Sequence, residues 1–258
     1  MAAFRGVAAP DIVVRWNGPP DLIPWAGEHH GLEAALAFFG KVGAALEILS
    51  VAPVERLLAA DKALLVLAHG AGAGMTHRHM AATAEGLATR GIAVMRFNFP
   101  YMEKGSKRPD SPAVAHAAIR AAIARAGKLA GGLPLFAGGR SFGGRMTSQG
   151  QADEPLPDVR GLVFFAWPLH PSGKPGTERA EHLSKVKLPM LFVQGSADTL
   201  AETHLLKPVV AGLGKRARLH LVDHADHSFH VPAKSGRKDT QVLDEILEVT
   251  HAWMLKNT

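Results

Sequence analysis

From about residue 44 onward, short apolar runs alternate with stretches whose apolar residues recur at helical spacing. The runs are LLVLAHG (64–70), GIAVMRFNF (91–99), LPLFAGG (133–139), GLVFFAW (161–167), PMLFVQG (189–195) and ARLHLVD (217–223). Five or six nearly continuous apolar positions suit strands covered on both faces, as in a parallel sheet. Between them, Met80, Ala84, Leu87 and Ala88 share one helical face, and Val242, Ile246, Val249 and Trp253 do the same near the C-terminus. Ser111-Pro112 opens a further Ala-rich helix, with proline where its missing N–H does no harm. This alternation predicts right-handed βαβ units and a doubly wound, mostly parallel sheet with helices on both faces. LEILSV (46–51) reads as an added edge strand.

Residues 1–43 fit this rhythm less well. They hold Asn17-Gly18-Pro19-Pro20 and Pro24, then a helix-like apolar piece, GLEAALAFFG. They read as an N-terminal extension outside the sheet, partly disordered, leaving residues 44–258 as one α/β domain. The N-terminus lacks the basic start and continuous apolar stretch of a signal peptide. No apolar run reaches the roughly 18 residues a membrane span needs. Cysteine is absent from the 258 residues, which removes disulfides, thiolate metal sites and a Cys nucleophile, and fits a cytoplasmic location.

The formal net charge is +6. Basic residues gather at Lys104, Lys107 and Arg108, at Lys215, Arg216 and Arg218, and at Lys234, Arg237 and Lys238. No nucleic-acid motif accompanies them, and a solvated basic face is the reading taken. Lys104, Lys107 and Arg108 follow the strand that ends at Phe99, which would place them at the rim of a site and favour anionic esters mildly.

The chemistry concentrates in Gly138-Gly139-Arg140-Ser141-Phe142-Gly143-Gly144, which contains G-x-S-x-G between a buried-strand pattern and a helix beginning near Arg145. A serine on such a turn is lifted above the sheet edge, and the flanking glycines let backbone pack where a Cβ would collide. The competing reading is a Gly-rich helix start with Ser141 as a simple cap. A serine hydroxyl needs a base to take its proton. In strand–turn–helix sites of this kind the acid and then the histidine follow the serine in chain order. Asp198 after PMLFVQG and His227 after ARLHLVD match that order. Asp223 and Asp226 are rival acids, His224 and His230 rival bases, and His224, His227 and His230 are spaced permissively for zinc. The reading taken has no metal and no cofactor.

The oxyanion formed in acyl transfer needs two backbone donors. Phe142 would supply one N–H, and Ala71, in the loop His69-Gly70-Ala71-Gly72-Ala73-Gly74, the other. That loop reads G-x-G after a strand but lacks the third glycine and the downstream acid of a dinucleotide site. Tyr101, Met102, Trp167 and His170, with Phe142, are expected to wall the acyl pocket. The segment from Trp167 to Leu183 is short and rich in Pro and Gly, which predicts a minimal lid.

With these residues placed, the chain resembles the α/β-hydrolase superfamily, and within it the group that contains an animal testis-expressed protein, a subunit of the NSL chromatin complex and bacterial members related to dienelactone hydrolases. The resemblance rests on LLVLAHGAGAGM (64–75), RFNFPYMEKGSKRPD (96–110), AGGRSFGGRMTS (137–148), PLHPSGKPGTERAEHL (168–183) and DHSF (226–229). It implies Ser141, Asp198 and His227 as the triad of a serine hydrolase acting on an ester or related acyl substrate. The continuation TLAETH after Asp198 departs from the Pro- and Gly-containing one of the family. Some relatives serve in larger assemblies, so an inactive interaction module stands as the alternative.

Overall fold

The structure, a computed structural model, describes residues 11–16, 27–45 and 62–258. Val13–Trp16 (β1) and Gly27–His30 (β2) pair antiparallel, with Val14 opposite His29. Gly31, at φ 82°, turns the chain from β2 into the helix Leu32–Ala45 (α1). These residues form a two-stranded sheet of their own within a separate unit of the chain. The apolar piece at 31–40 is helical as its pattern predicts, and the helix continues past residue 43. The expected edge strand at 46–51 lies outside the described residues.

Each of the six apolar runs forms a strand of one sheet. In chain order the elements are Ala63–Ala68 (β3), Arg78–Ala88 (α2), Ile92–Phe97 (β4), Pro112–Leu129 (α3), Leu135–Arg140 (β5), Phe142–Asp153 (α4), Val159–Phe165 (β6), Met190–Gly195 (β7), Thr203–Gly212 (α5), Ala217–Val222 (β8) and Asp239–Lys256 (α6). A one-turn helix at Pro100–Glu103 and a 3-10 helix at Glu178–Lys185 complete the main elements. The strand order is β4-β3-β5-β6-β7-β8, and every pairing is parallel. All six residues of β3 and of β7 are buried, as strands covered on both faces should be. The edge strand β8 is mostly half-buried and exposes Arg218, a charge that discourages further pairing.

Alternate residues of each strand feed two cores. Leu64, Val66, Phe164 and Phe192 pack with α3, α4 and α5 on one face. Leu65, Leu67, Val163 and Leu191 pack with Met80, Ala84 and Leu87 of α2 and with Val242, Ile246 and Trp253 of α6 on the other. Burying each such side chain contributes about 1.5–3 kcal/mol, so both helical layers are held by the stripes seen in the sequence. Because the strands are parallel and in register, Ala68 lies beside Gly139 and Arg140 beside Phe165. The ends of β3, β5 and β6 therefore meet at one edge of the sheet, and the loops after β7 and β8 open on the same edge.

Candidate active site

Ser141 joins β5 to α4 with φ 49° and ψ −115°, a conformation that costs a non-glycine residue roughly 1–3 kcal/mol. Its backbone is clamped on both sides: its N–H donates to Phe165 O (3.0 Å), and its carbonyl accepts from Arg145 N (3.0 Å). A Cβ on Gly139 would stand 2.6 Å from Gly143 C and 2.7 Å from Ala68 O, and one on Gly143 would stand 2.5 Å from His69 O. The two motif glycines thus let β5, α4 and the end of β3 touch backbone to backbone. The Ser141 side chain makes no capping bond to α4, so the simple-cap reading fails. Its Oγ lies 2.9 Å from His227 Nε2 instead.

His227 Nδ1 is 2.7 Å from Asp198 Oδ2. A carboxylate can only accept, so Nδ1 carries the proton and Nε2 presents its lone pair to the serine hydroxyl. The Asp198 side chain is fully buried. Its charge is met by three donors: His227, the Gln194 side chain, and Leu200 N–H at 2.8 Å from Oδ1.

The rivals are occupied elsewhere. Asp226 Oδ1 accepts from Ser228 N and His230 N and shapes its own loop. Asp223 and His224 are exposed. His230 Nδ1 pairs with Asp239 at 2.9 Å. Among the described residues, no group of three or more His, Cys, Asp or Glu side chains is disposed to hold a metal ion.

Phe142 N–H heads α4, where no intrahelical acceptor exists. Among the described residues, neither it nor Ala71 N–H is bonded to a protein acceptor. Ala71 is aimed from behind. The preceding carbonyl, Gly70 O, accepts from His69 Nδ1 at 2.8 Å, and the Tyr101 hydroxyl reaches it at 3.4 Å. In a trans peptide the N–H points opposite the C=O, so anchoring Gly70 O turns Ala71 N–H the other way. His69 Nε2 in turn accepts from Phe99 N–H at 3.1 Å. This geometry requires a neutral ring, and burial holds the His69 pKa below its ordinary value.

Ser141 and His227 open into a cavity of about 650 Å³. Its buried apolar lining includes Leu67, Met80, Phe165 and Ile246, and Arg140, His79 and Phe229 line it as well. It therefore lies on the α2/α6 face of the sheet. This corrects the expected pocket wall. Tyr101, Met102 and Trp167 pack into the opposite core, and none of the four residues Tyr101, Met102, Trp167 and His170 lines the cavity. Trp167 is fully buried, with Nε1 bonded to Ser148 Oγ (3.3 Å). His170 is buried against Glu202, and its N–H donates to Leu200 O (3.2 Å), bracing the turn that carries Asp198.

The segment 168–185 likewise contributes nothing to the cavity. Ala180 and Leu183 anchor it on the far core, so no lid from this segment covers the serine. Nor do Lys104, Lys107 and Arg108 reach this site: Lys104 and Arg108 line a separate depression beside Tyr101 and Asp110. Arg140, one position before the serine and visible in the motif but not singled out by it, lines the cavity, as does Arg78.

A parallel sheet that gathers serine, imidazole and carboxylate at its carboxyl edge defines the class of α/β hydrolases. A family model described as "Alpha/beta hydrolase domain" matches residues 61–255, and the chain belongs to that family. Among solved structures it is similar to an alpha-beta serine hydrolase homologue from Coxiella burnetii (20% identity, 73% of this chain and 85% of that one, TM-score 0.60). It is also similar to a dienelactone hydrolase from Anabaena variabilis (19%, 76% and 87%, 0.59). A third is XC6422 from Xanthomonas campestris, described as a serine hydrolase without lid (20%, 75% and 84%, 0.58). At these identities the likeness is one of fold. No helix among the described residues is long and apolar enough to cross a membrane.

Proposed function

We propose that the protein is a serine esterase that transfers the acyl group of a small-molecule ester to water, with Ser141 as nucleophile, His227 as general base and acid, and Asp198 as the orienting carboxylate. The observation that carries this reading is the unbroken hydrogen-bonded chain from Ser141 Oγ through both ring nitrogens of His227 to a buried Asp198. His227 Nε2 takes the hydroxyl proton as Oγ bonds to the substrate carbonyl carbon. The resulting oxyanion is stabilised by the N–H groups of Ala71 and Phe142. The tetrahedral intermediate collapses, the ester C–O bond breaks, and the leaving alkoxide receives the proton from Nε2. Water, deprotonated by the same nitrogen, then attacks the acyl-enzyme, and the acid leaves as Ser141 recovers its proton. No cofactor enters these steps.

The sequence resemblance supports a closer placement beside the testis-expressed and NSL-subunit type relatives, and the fold likeness to a dienelactone hydrolase agrees with the wider group. Residues 44–258 would then be the catalytic domain and residues 1–43 an N-terminal extension of it. A fluorophosphonate probe tests the reading. The wild-type protein should be labelled and should hydrolyse p-nitrophenyl butanoate, and Ser141→Ala should lose both. Absence of labelling in the wild type would refute the proposal and favour the inactive interaction module.

A further inference from the structure

Arg140 occupies the variable position just before Ser141, and its side chain lines the same cavity as the serine and His227. A guanidinium has five N–H donors. Here one nitrogen, Nη2, donates to His227 O at 2.9 Å, and the group lies over the Phe229 ring at 5.6 Å. Among the described residues it has no other hydrogen bond and no carboxylate within ion-pair distance. The nearby acids are engaged: Asp198 by its three donors, Asp226 by its own loop, and Asp239 by His230 and Val231 N. Arg78, exposed at the rim of the cavity, also lacks an ion pair among the described residues.

Burial pulls the Arg140 pKa below its ordinary value, and Asp198 and Asp226 act against that shift. An arginine remains charged at neutral pH even so. A half-buried cation with few protein partners is incompletely compensated, and a bound anion improves its balance.

Resting on the hydrolase reading above, we propose that the substrate is an ester bearing a second, carboxylate group, which Arg140 binds while the apolar lining takes the carbon chain between the two. Phe229 and the His227 carbonyl keep the guanidinium in place, and its remaining N–H donors can take a carboxylate. A site built to bind such a group discriminates strongly against analogues that lack it, because its own donors are then left unpaired.

The test measures kcat/KM for matched pairs. Monoethyl succinate, glutarate and adipate would be set against ethyl butanoate, pentanoate and hexanoate for a carboxylate on the acyl side. The butanoyl ester of glycolate would be set against ethyl butanoate for one on the alcohol side. The wild-type protein should favour the charged member of at least one pair by about 10- to 100-fold. Arg140→Met should bring that ratio near one, Arg140→Lys should keep part of it, and Arg78→Gln should lower it by about threefold.

Using the ratio cancels any loss common to both substrates from loosening the His227 loop. A wild-type ratio near one in every pair, or one that survives Arg140→Met, overturns the proposal. In either case fluorophosphonate labelling of Ser141 and turnover of the neutral esters would leave the hydrolase reading standing, whereas loss of both would end the two together.

Discussion

Asp198→Asn isolates the role of the buried carboxylate. Oδ1 accepts from the backbone N–H of Leu200, which cannot turn round, while Oδ2 accepts from both Gln194 and His227. An asparagine must therefore keep its oxygen toward Leu200 and set its amide nitrogen where Oδ2 was. Gln194 can answer by turning its own amide, since its Oε1 is buried and without a partner among the described residues. The imidazole can answer only by moving its proton from Nδ1 to Nε2, which points an N–H at the Ser141 hydroxyl and removes the lone pair that accepts its proton.

Packing thus survives the substitution and base catalysis does not. Stability should fall by about 1–2 kcal/mol, from the weakening of charge-assisted bonds. Turnover should fall by about 10³- to 10⁴-fold, equivalent to roughly 4–5.5 kcal/mol of transition-state stabilisation. Steady-state hydrolysis of p-nitrophenyl butanoate gives kcat and KM, the fluorophosphonate labelling rate reports nucleophile activation without deacylation, and thermal unfolding checks the fold. An Asp198→Asn variant within tenfold of the wild-type rate would refute the assignment of the acid and the tautomer argument with it.

Two further outcomes concern buried His69 and half-buried His182. His69→Leu leaves Gly70 O and Phe99 N–H without the ring that joins them and should cost about 2–4 kcal/mol of stability. Because Ala71 N–H loses its backing, kcat should drop about 10- to 100-fold with little change in KM; a stability loss with kcat within twofold of wild type would show that the ring only packs. His182, next to Ser148, is held at a pKa of about 4, chiefly by burial. The unfolded chain therefore binds more protons between pH 6.5 and about 4, and the stability this histidine provides as a neutral group is lost as pH falls through that window. Urea unfolding at about pH 7.5 and 5 should show His182→Gln losing about 1–2 kcal/mol less than the wild type on acidification, a figure reduced for the ring's partial exposure. Equal losses in the two proteins would refute the assignment.

Much of the candidate site was legible in the sequence because its signals are local or ordered along the chain. The elbow needs glycine two residues either side of the serine, and the backbone contacts at Gly139 and Gly143 show why. The acid and base follow two apolar runs that become β7 and β8, and parallel pairing delivers both loops to the serine's edge. The misread residues share one cause. Tyr101, Met102, Trp167 and His170 lie close to motif residues in sequence, and three of them join the core opposite the cavity. Arg140 was in plain view, but nothing local distinguishes a rim arginine from a solvated one.

What the chain's own pattern determined is the six strands of the larger sheet, the two helical stripes and the order of the three reacting side chains, since each depends on neighbours a few residues apart or on sequence order. Only the tertiary structure decided which face of the sheet opens beside the serine. In a strand buried on both sides the polar–apolar alternation disappears, so Val66 and Leu67 read alike, yet Val66 packs into one core and Leu67 lines the cavity. The rest of that face is covered by α2 and α6, which meet through contacts between residues more than a hundred positions apart, such as Leu247 filling the space a Cβ on Gly86 would take.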